Sequence, residues 1–207
     1  MRRQARTAGL TRMDTANRVE TRTLVLLLGI NAAMFFVELA AGWVAQSSGL
    51  IADSLDMLAD TFVYSVALLA VGSTTRRKTH AAVASGVIQL ALAAGLAFEI
   101  ARRAVSGSEP MSWLMIVISA LALTANAACV VLLRKHRHGE IHMRASWIFS
   151  TTDVQVNVGV IVAGLLVMLT GSAWPDLVIG AGVCALVIRG GLRILKQAKA
   201  SYSEGRG

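Results

Sequence analysis

Cysteine, proline, aromatic side chains and charge are all scarce in this chain. Two cysteines, Cys129 and Cys184, lie inside apolar segments. They are too few for a disulfide scaffold or a cysteine-based metal centre, and they read as small core or lipid-facing residues. Aromatics make up 5% of the sequence, and no basic face interleaves with them. That excludes nucleic acid as the partner in spite of a formal net charge of +8. Charged residues reach only 15%, where a soluble domain carries about 25%. No Ser-Lys or Ser-His arrangement and no HExxH motif falls within an apolar span, so an intramembrane enzyme has no support and the chain reads as a non-enzyme. The first 22 residues are basic and polar without an apolar core, unlike a cleavable signal peptide.

Apolar residues fill the space these absences leave. They account for 55% of the 207 residues, and the mean hydropathy is +0.61. They gather in six runs, approximately 23–45, 49–71, 80–104, 111–134, 142–170 and 174–195. Each is near or above the ~20 residues a helix needs to cross the hydrocarbon. The short alternating segments of a membrane β-barrel are absent. The expected fold is all-α, a polytopic bundle of six transmembrane helices. Residues 1–22 would form a basic arm, 23–195 the membrane domain, and 196–207 a short tail. The connections leave no room for a second folded domain.

The basic residues orient this bundle. All but two of the twenty lysines and arginines lie in or next to the N-terminal arm, the second and fourth connections, and the tail with the end of the sixth run; the two exceptions are Arg102 and Arg103. The positive-inside rule places both termini in the cytoplasm. Trp43, Trp113 and Trp174 fall near the opposite boundary, where aromatic anchors belong. The short loops fit a multi-pass protein of a bacterial inner membrane.

Acidic residues within spans are costly and are functional candidates. Glu38 lies in the first span, Asp53, Asp56 and Asp60 in the second, Glu99 in the third and Asp153 in the fifth. Asp56 and Asp60 are four apart and share a helix face, as do Asp153 and Asn157. If the two faces meet, three or four oxygen ligands converge at depth. Like-charged carboxylates held together in low dielectric must protonate or be neutralised by a cation. A divalent metal that protons displace satisfies both alternatives. Asp56, Asp60 and Asp153 are therefore the expected ligands, with Asn157 auxiliary. Glu38 and Glu99 read as structural acids, bonding a neighbouring helix or lining a wet vestibule. Asp53 reads as a helix cap or an entrance residue. Asp176, after Trp174-Pro175, reads as the start signal of the sixth helix. His80, His136, His138 and His142 lie in or beside connections and read as parts of solvated loops.

The stretch NAAMFFVELAAGWVAQSSGLIADSLDMLADTF, residues 31–62, resembles the first two transmembrane helices of the cation diffusion facilitators. It carries the Asn and Glu-Leu-x-x-Gly of the first helix and an acidic pair, Asp56 and Asp60, in the second. The stretch RASWIFSTTDVQVNVGVIVAG, residues 144–164, resembles that family's fifth helix, with Asp153 at the matching position. The resemblance implies a six-helix exporter of divalent transition metal, exchanging it for protons. It implies no prosthetic group. The metal is cargo: zinc first, with cadmium, cobalt, manganese or iron(II) open.

Two departures stand out. Phe149 occupies the position four before Asp153, where the family carries histidine or aspartate, which points to a harder, less zinc-selective site. The family's cytoplasmic domain after the sixth helix is not in this sequence, so a homodimer would rest on the membrane helices. A non-transporting membrane partner or metal sensor with a degenerate site stays open as the alternative.

Overall fold

A computed structural model describes residues 2–70, 75–134 and 141–204. Six helices account for nearly all of them: α1 (Arg2–Val44), α2 (Ser48–Ala70), α3 (Thr75–Ser106), α4 (Ser112–Leu133), α5 (Ile141–Thr170) and α6 (Trp174–Glu204). Among the described residues there is no strand. The expected spans are all found, and two helices overrun them. α1 begins at Arg2, so the basic arm continues the helix of the first span, and α6 carries the tail on to Glu204. Among the described residues, five helices are long and apolar enough to cross a membrane. The other, α2, has the length at 23 residues, but its three aspartates dilute its apolar character.

The helices alternate in direction because their connections are short. Those at 45–47, 107–111 and 171–173 lie at one end of the bundle, here the short-loop end. Two of these links turn on a glycine with positive φ. Gly107 (φ 83°) and Gly171 (φ 64°) each follow a helix, and their N–H groups close on Arg103 and Val167 carbonyls at 2.9 Å. Glycine adopts this left-handed conformation without a Cβ clash. In the α1–α2 link Gln46 (φ 50°) takes the same conformation. Met111 N–H then donates to the Ala45 carbonyl at 2.9 Å, tying the third connection to the first.

The bundle buries a group of polar residues beside its apolar core, and its exterior is rich in exposed apolar side chains. Asn31, Glu38, Asp53, Asp60, Asn126, Asp153 and Asn157 are buried, while Phe36, Phe98, Val105 and Leu169 are exposed. Lipid tails solvate such an exterior as well as a protein core would, so close packing and polar contacts must hold the helices together. Trp43 (76% exposed), Trp113 and Trp174 all project outward near the short-loop end, as anchors would.

α1, α2, α4 and α5 enclose the buried polar residues. α3 packs along α6, and this pair meets the other four chiefly through α2. Glycine sets the closest approaches. A Cβ on Gly180 of α6 would stand 2.8 Å from the Ser48 backbone, and one on Gly164 of α5 would stand 2.9 Å from Ile116 of α4.

Candidate metal site

The apolar Leu-Ile-Ala and Met-Leu-Ala steps of α2 keep it helical through its three aspartates. The face they share turns toward α1, α4 and α5. Asp53 and Asp60 are buried, and Asp56 keeps part of its surface accessible. The polar groups divide into two levels along the helix axes.

The deeper level lies farther from the short-loop end. Here the carboxyl groups of Asp60 and Asp153 lie within interaction range of each other across the α2–α5 interface. The Tyr64 hydroxyl donates to Asp60 Oδ2 at 3.2 Å and lies 3.4 Å from Ser150 Oγ. Asp153 Oδ2 has no partner. Beneath this level, away from the short loops, Tyr64 packs among Leu24, Leu27, Cys129 and Leu133, an apolar plug that closes that side.

The shallower level joins three helices. Asn157 Nδ2 donates to Asp53 Oδ2, and Asn126 Nδ2 donates to Asn157 Oδ1 at 3.0 Å. Glu38 of α1 lies within electrostatic reach of Asp53 and Asp56, fully buried, with neither carboxylate oxygen partnered. Asp56 bridges the levels electrostatically: it lies close enough to repel Glu38, Asp53, Asp60 and Asp153.

The structure thus brings Asp60 and Asp153 together, with Asp56 within electrostatic reach. It gives Asn157 a different neighbour from the one expected. The amide serves Asp53 and Asn126 rather than the deeper carboxyl pair, because it stands a full turn beyond Asp153 toward the short loops. Among the described residues, no three histidine, cysteine, aspartate or glutamate side chains are close enough together to hold a metal ion. The side chains of Phe149 and His142, and the whole of His136 and His138, lie outside the described residues. His80 is exposed, and both cysteines are free and buried.

Three other expectations need revision. Asp53 is not a cap: no acid stands in the first turn of α2, and the residue is buried one turn further in. Nor does Glu38 bond a neighbouring helix. Asp176 does open α6, but its carboxylate crosses to α2. It accepts from Ser47 Oγ at 2.6 Å, from Ser48 N–H at 2.6 Å and from Gly49 N–H at 2.9 Å. Those free N–H groups carry the positive end of the α2 dipole, which an anion satisfies. Glu99 is structural as expected, holding Arg102 at 2.7 Å and Arg103 at 2.8 Å. Arg103 also reaches Ser48 Oγ at 3.4 Å. Tyr64 and Ser150 escaped the sequence reading. The signal for Tyr64 was its place one helical turn past Asp60.

Comparison with known proteins places these helices in context. A family model described as the cation efflux transmembrane domain matches residues 24–201. The zinc transporter ZitB of Yersinia pseudotuberculosis is 26% identical over 198 residues, covering 89% of this chain and 64% of that protein. The ZitB of Escherichia coli K12 is 28% identical over 200 residues, covering 89% and 63%. The cadmium, cobalt and zinc/H(+)-K(+) antiporter of Bacillus velezensis is 25% identical over 183 residues, covering 82% and 58%. The chain therefore spans a little under two thirds of the length of these curated relatives.

Proposed function

Because the chain belongs to the cation efflux family, we propose that it carries a divalent transition-metal cation out of the cytoplasm, in exchange for protons. Zinc is the first candidate cargo, since relatives bear the name zinc transporter; cadmium and cobalt follow from the antiporter's name. Asp60 and Asp153 are the proposed direct ligands, with Asp56 joining them and Asn157 holding the neighbouring Asp53. The termini face the cytoplasm and the short-loop end faces outward, in a bacterial inner membrane. A homodimer built on the membrane helices completes the proposal.

The observation that carries this reading is that Asp60 and Asp153, buried on two different helices, lie within interaction range of each other. Two carboxyl groups held this near each other away from water must take up a proton or a cation. A cation arriving between them displaces that proton, because carboxylates bind metal only when deprotonated. The same pair can therefore hold either traveller, and the exchange follows from their competition. The Tyr64 hydroxyl keeps one Asp60 oxygen in place, and the apolar plug behind it blocks a leak.

Metal uptake into proteoliposomes holding the pure chain, under an imposed pH gradient, tests the proposal. Uptake that follows the gradient and disappears in Asp60→Ala supports it. Equal, background uptake by the two proteins overturns it. That result would favour the second reading, a metal sensor or membrane partner, which Phe149 four residues before Asp153 supports.

A further inference from the structure

The deeper carboxyl pair leaves the shallower level unexplained. Glu38 of α1 is 0% exposed, and both its oxygens lack a hydrogen-bond partner. Asp53 of α2, equally buried, spends one oxygen on Asn157, and its Oδ1 has none. Asn126 of α4 donates from Nδ2 to Asn157 Oδ1 at 3.0 Å and to Met57 Sδ at 3.9 Å, and its own Oδ1 is left over. No lysine or arginine among the described residues pairs with either acid. Four unused acceptor atoms, two of them on Glu38, are thus enclosed where water and lipid do not reach them. The neighbourhood contains no counter-charge, and the two acids repel each other.

Buried acceptors without donors are expensive, and buried carboxylates without a counter-charge more so. An aspartate bonded to a neighbouring helix would need no further explanation. An unbonded glutamate within electrostatic reach of it does, as does an orphaned amide oxygen on a third helix, joined to the aspartate through Asn157. These groups are all hard oxygen donors with a combined formal charge of −2, a set suited to a divalent cation that also takes water ligands.

We infer that Glu38, Asp53 and Asn126 form a second cation seat, on the short-loop side of the Asp60–Asp153 pair and separate from it. The Asn157 amide joins the seat to α5 by holding Asp53 in place. Asp56, within reach of both levels, links the two positions. A divalent ion leaving the deeper pair toward the short loops meets this seat next.

The test counts Mn2+ bound per chain, using the 207-residue chain in nanodiscs at neutral pH. Mn2+ prefers oxygen ligands and is counted by its paramagnetic resonance signal. In Asp60→Asn/Asp153→Asn, whose deeper pair is neutral, one ion per chain should remain. Adding Glu38→Gln should remove it. Asn126→Ala, which leaves the charge unchanged, should weaken it about tenfold, as the loss of one ligand does. Thermal unfolding curves accompany each variant, and Glu38→Gln, close in shape to glutamate, should unfold no earlier than wild type. Absence of binding in the folded Asp60→Asn/Asp153→Asn chain overturns the seat. So does a bound ion that Glu38→Gln leaves in place. Neither result bears on transport through the deeper pair, which the Asp60→Ala uptake experiment decides independently.

Discussion

The carboxylate of Asp176, in the first turn of α6, closes the N-terminus of α2 by accepting from the backbone N–H groups of Ser48 and Gly49. A buried N–H left without its acceptor costs about 1–3 kcal/mol. Asp176→Ala should therefore destabilise the bundle by about 2 kcal/mol or more. Asp176→Asn, which keeps one acceptor oxygen, should fall between it and wild type. Thermal unfolding in detergent ranks the three. An alanine variant as stable as wild type would show that the contact contributes nothing.

Gly180 and Gly182 differ by two positions on the same helix and should respond oppositely to alanine. A Cβ on Gly180 meets the Ser48 backbone at 2.8 Å, while one on Gly182 finds nothing within 4 Å. Backbone cannot yield as a flexible side chain would. Gly180→Ala should lower the unfolding temperature by several degrees. Gly182→Ala should hold or raise it, because alanine is the better helix former. The same melting experiment reads both.

Tyr64→Phe removes one hydroxyl and little volume. It leaves Asp60 Oδ2 without its donor and Ser150 without its neighbour. Loss of a single hydrogen bond costs about 1 kcal/mol, which a bundle of this size survives. Metal uptake should drop several-fold while the protein remains folded and monodisperse. Unchanged uptake would show that Asp60 keeps its position without the phenol.

Metal affinity should fall as pH falls. The proposed ligands bind only as free carboxylates, and lowering the pH reduces the fraction of free carboxylate. The sign is fixed: tighter at high pH, weaker at low. Where one proton leaves per ion bound, the dissociation constant should rise about tenfold for each unit of pH lost. Titrations of Zn2+ at several pH values measure the slope. A flat profile would mean that protons and metal do not share these carboxylates.

Glu99→Gln should leave uptake near wild type and lower stability. The half-exposed Glu99–Arg102 pair contributes about 0–1 kcal/mol. Arg103 is buried and loses its carboxylate partner, so the unfolding temperature should fall. Retained uptake is the expected result, set beside the loss in Asp60→Ala as a contrast between an acid at the rim and one in the interior.

The six helices were legible in the sequence because each is a long apolar run with its own boundary chemistry, and helix boundaries are local events. That Asp56 and Asp60 share one face of α2 was legible from their four-residue spacing. What was not legible concerns partners brought from elsewhere in the chain. Asp53 read as a cap because it lies early in α2, yet the cap comes from Asp176, 128 residues beyond Ser48. Asn157 read as a ligand because it shares a face with Asp153, yet Asn126 on α4 and Asp53 on α2 claim its amide. Tyr64 was passed over because tyrosine in an apolar run resembles packing; only the position of α5 shows its hydroxyl beside Ser150. Spacing within a helix assigns faces, and the neighbours of each face depend on how the helices pack.

The junction of Asp176, Ser48 and Gly180 also has a mechanical meaning. It fastens one tip of α2 to α6, while the other tip has no comparable bond among the described residues. A rod fastened at one tip swings rather than slides. The sixteen steps from Ser48 to Tyr64 make an arm of about 24 Å at the helical rise. A small change of slope at the fastened tip is thus magnified along the arm, least at Asp53 and most at Tyr64. Motion of this kind would leave the shallow polar level nearly stationary and would shift the apolar plug.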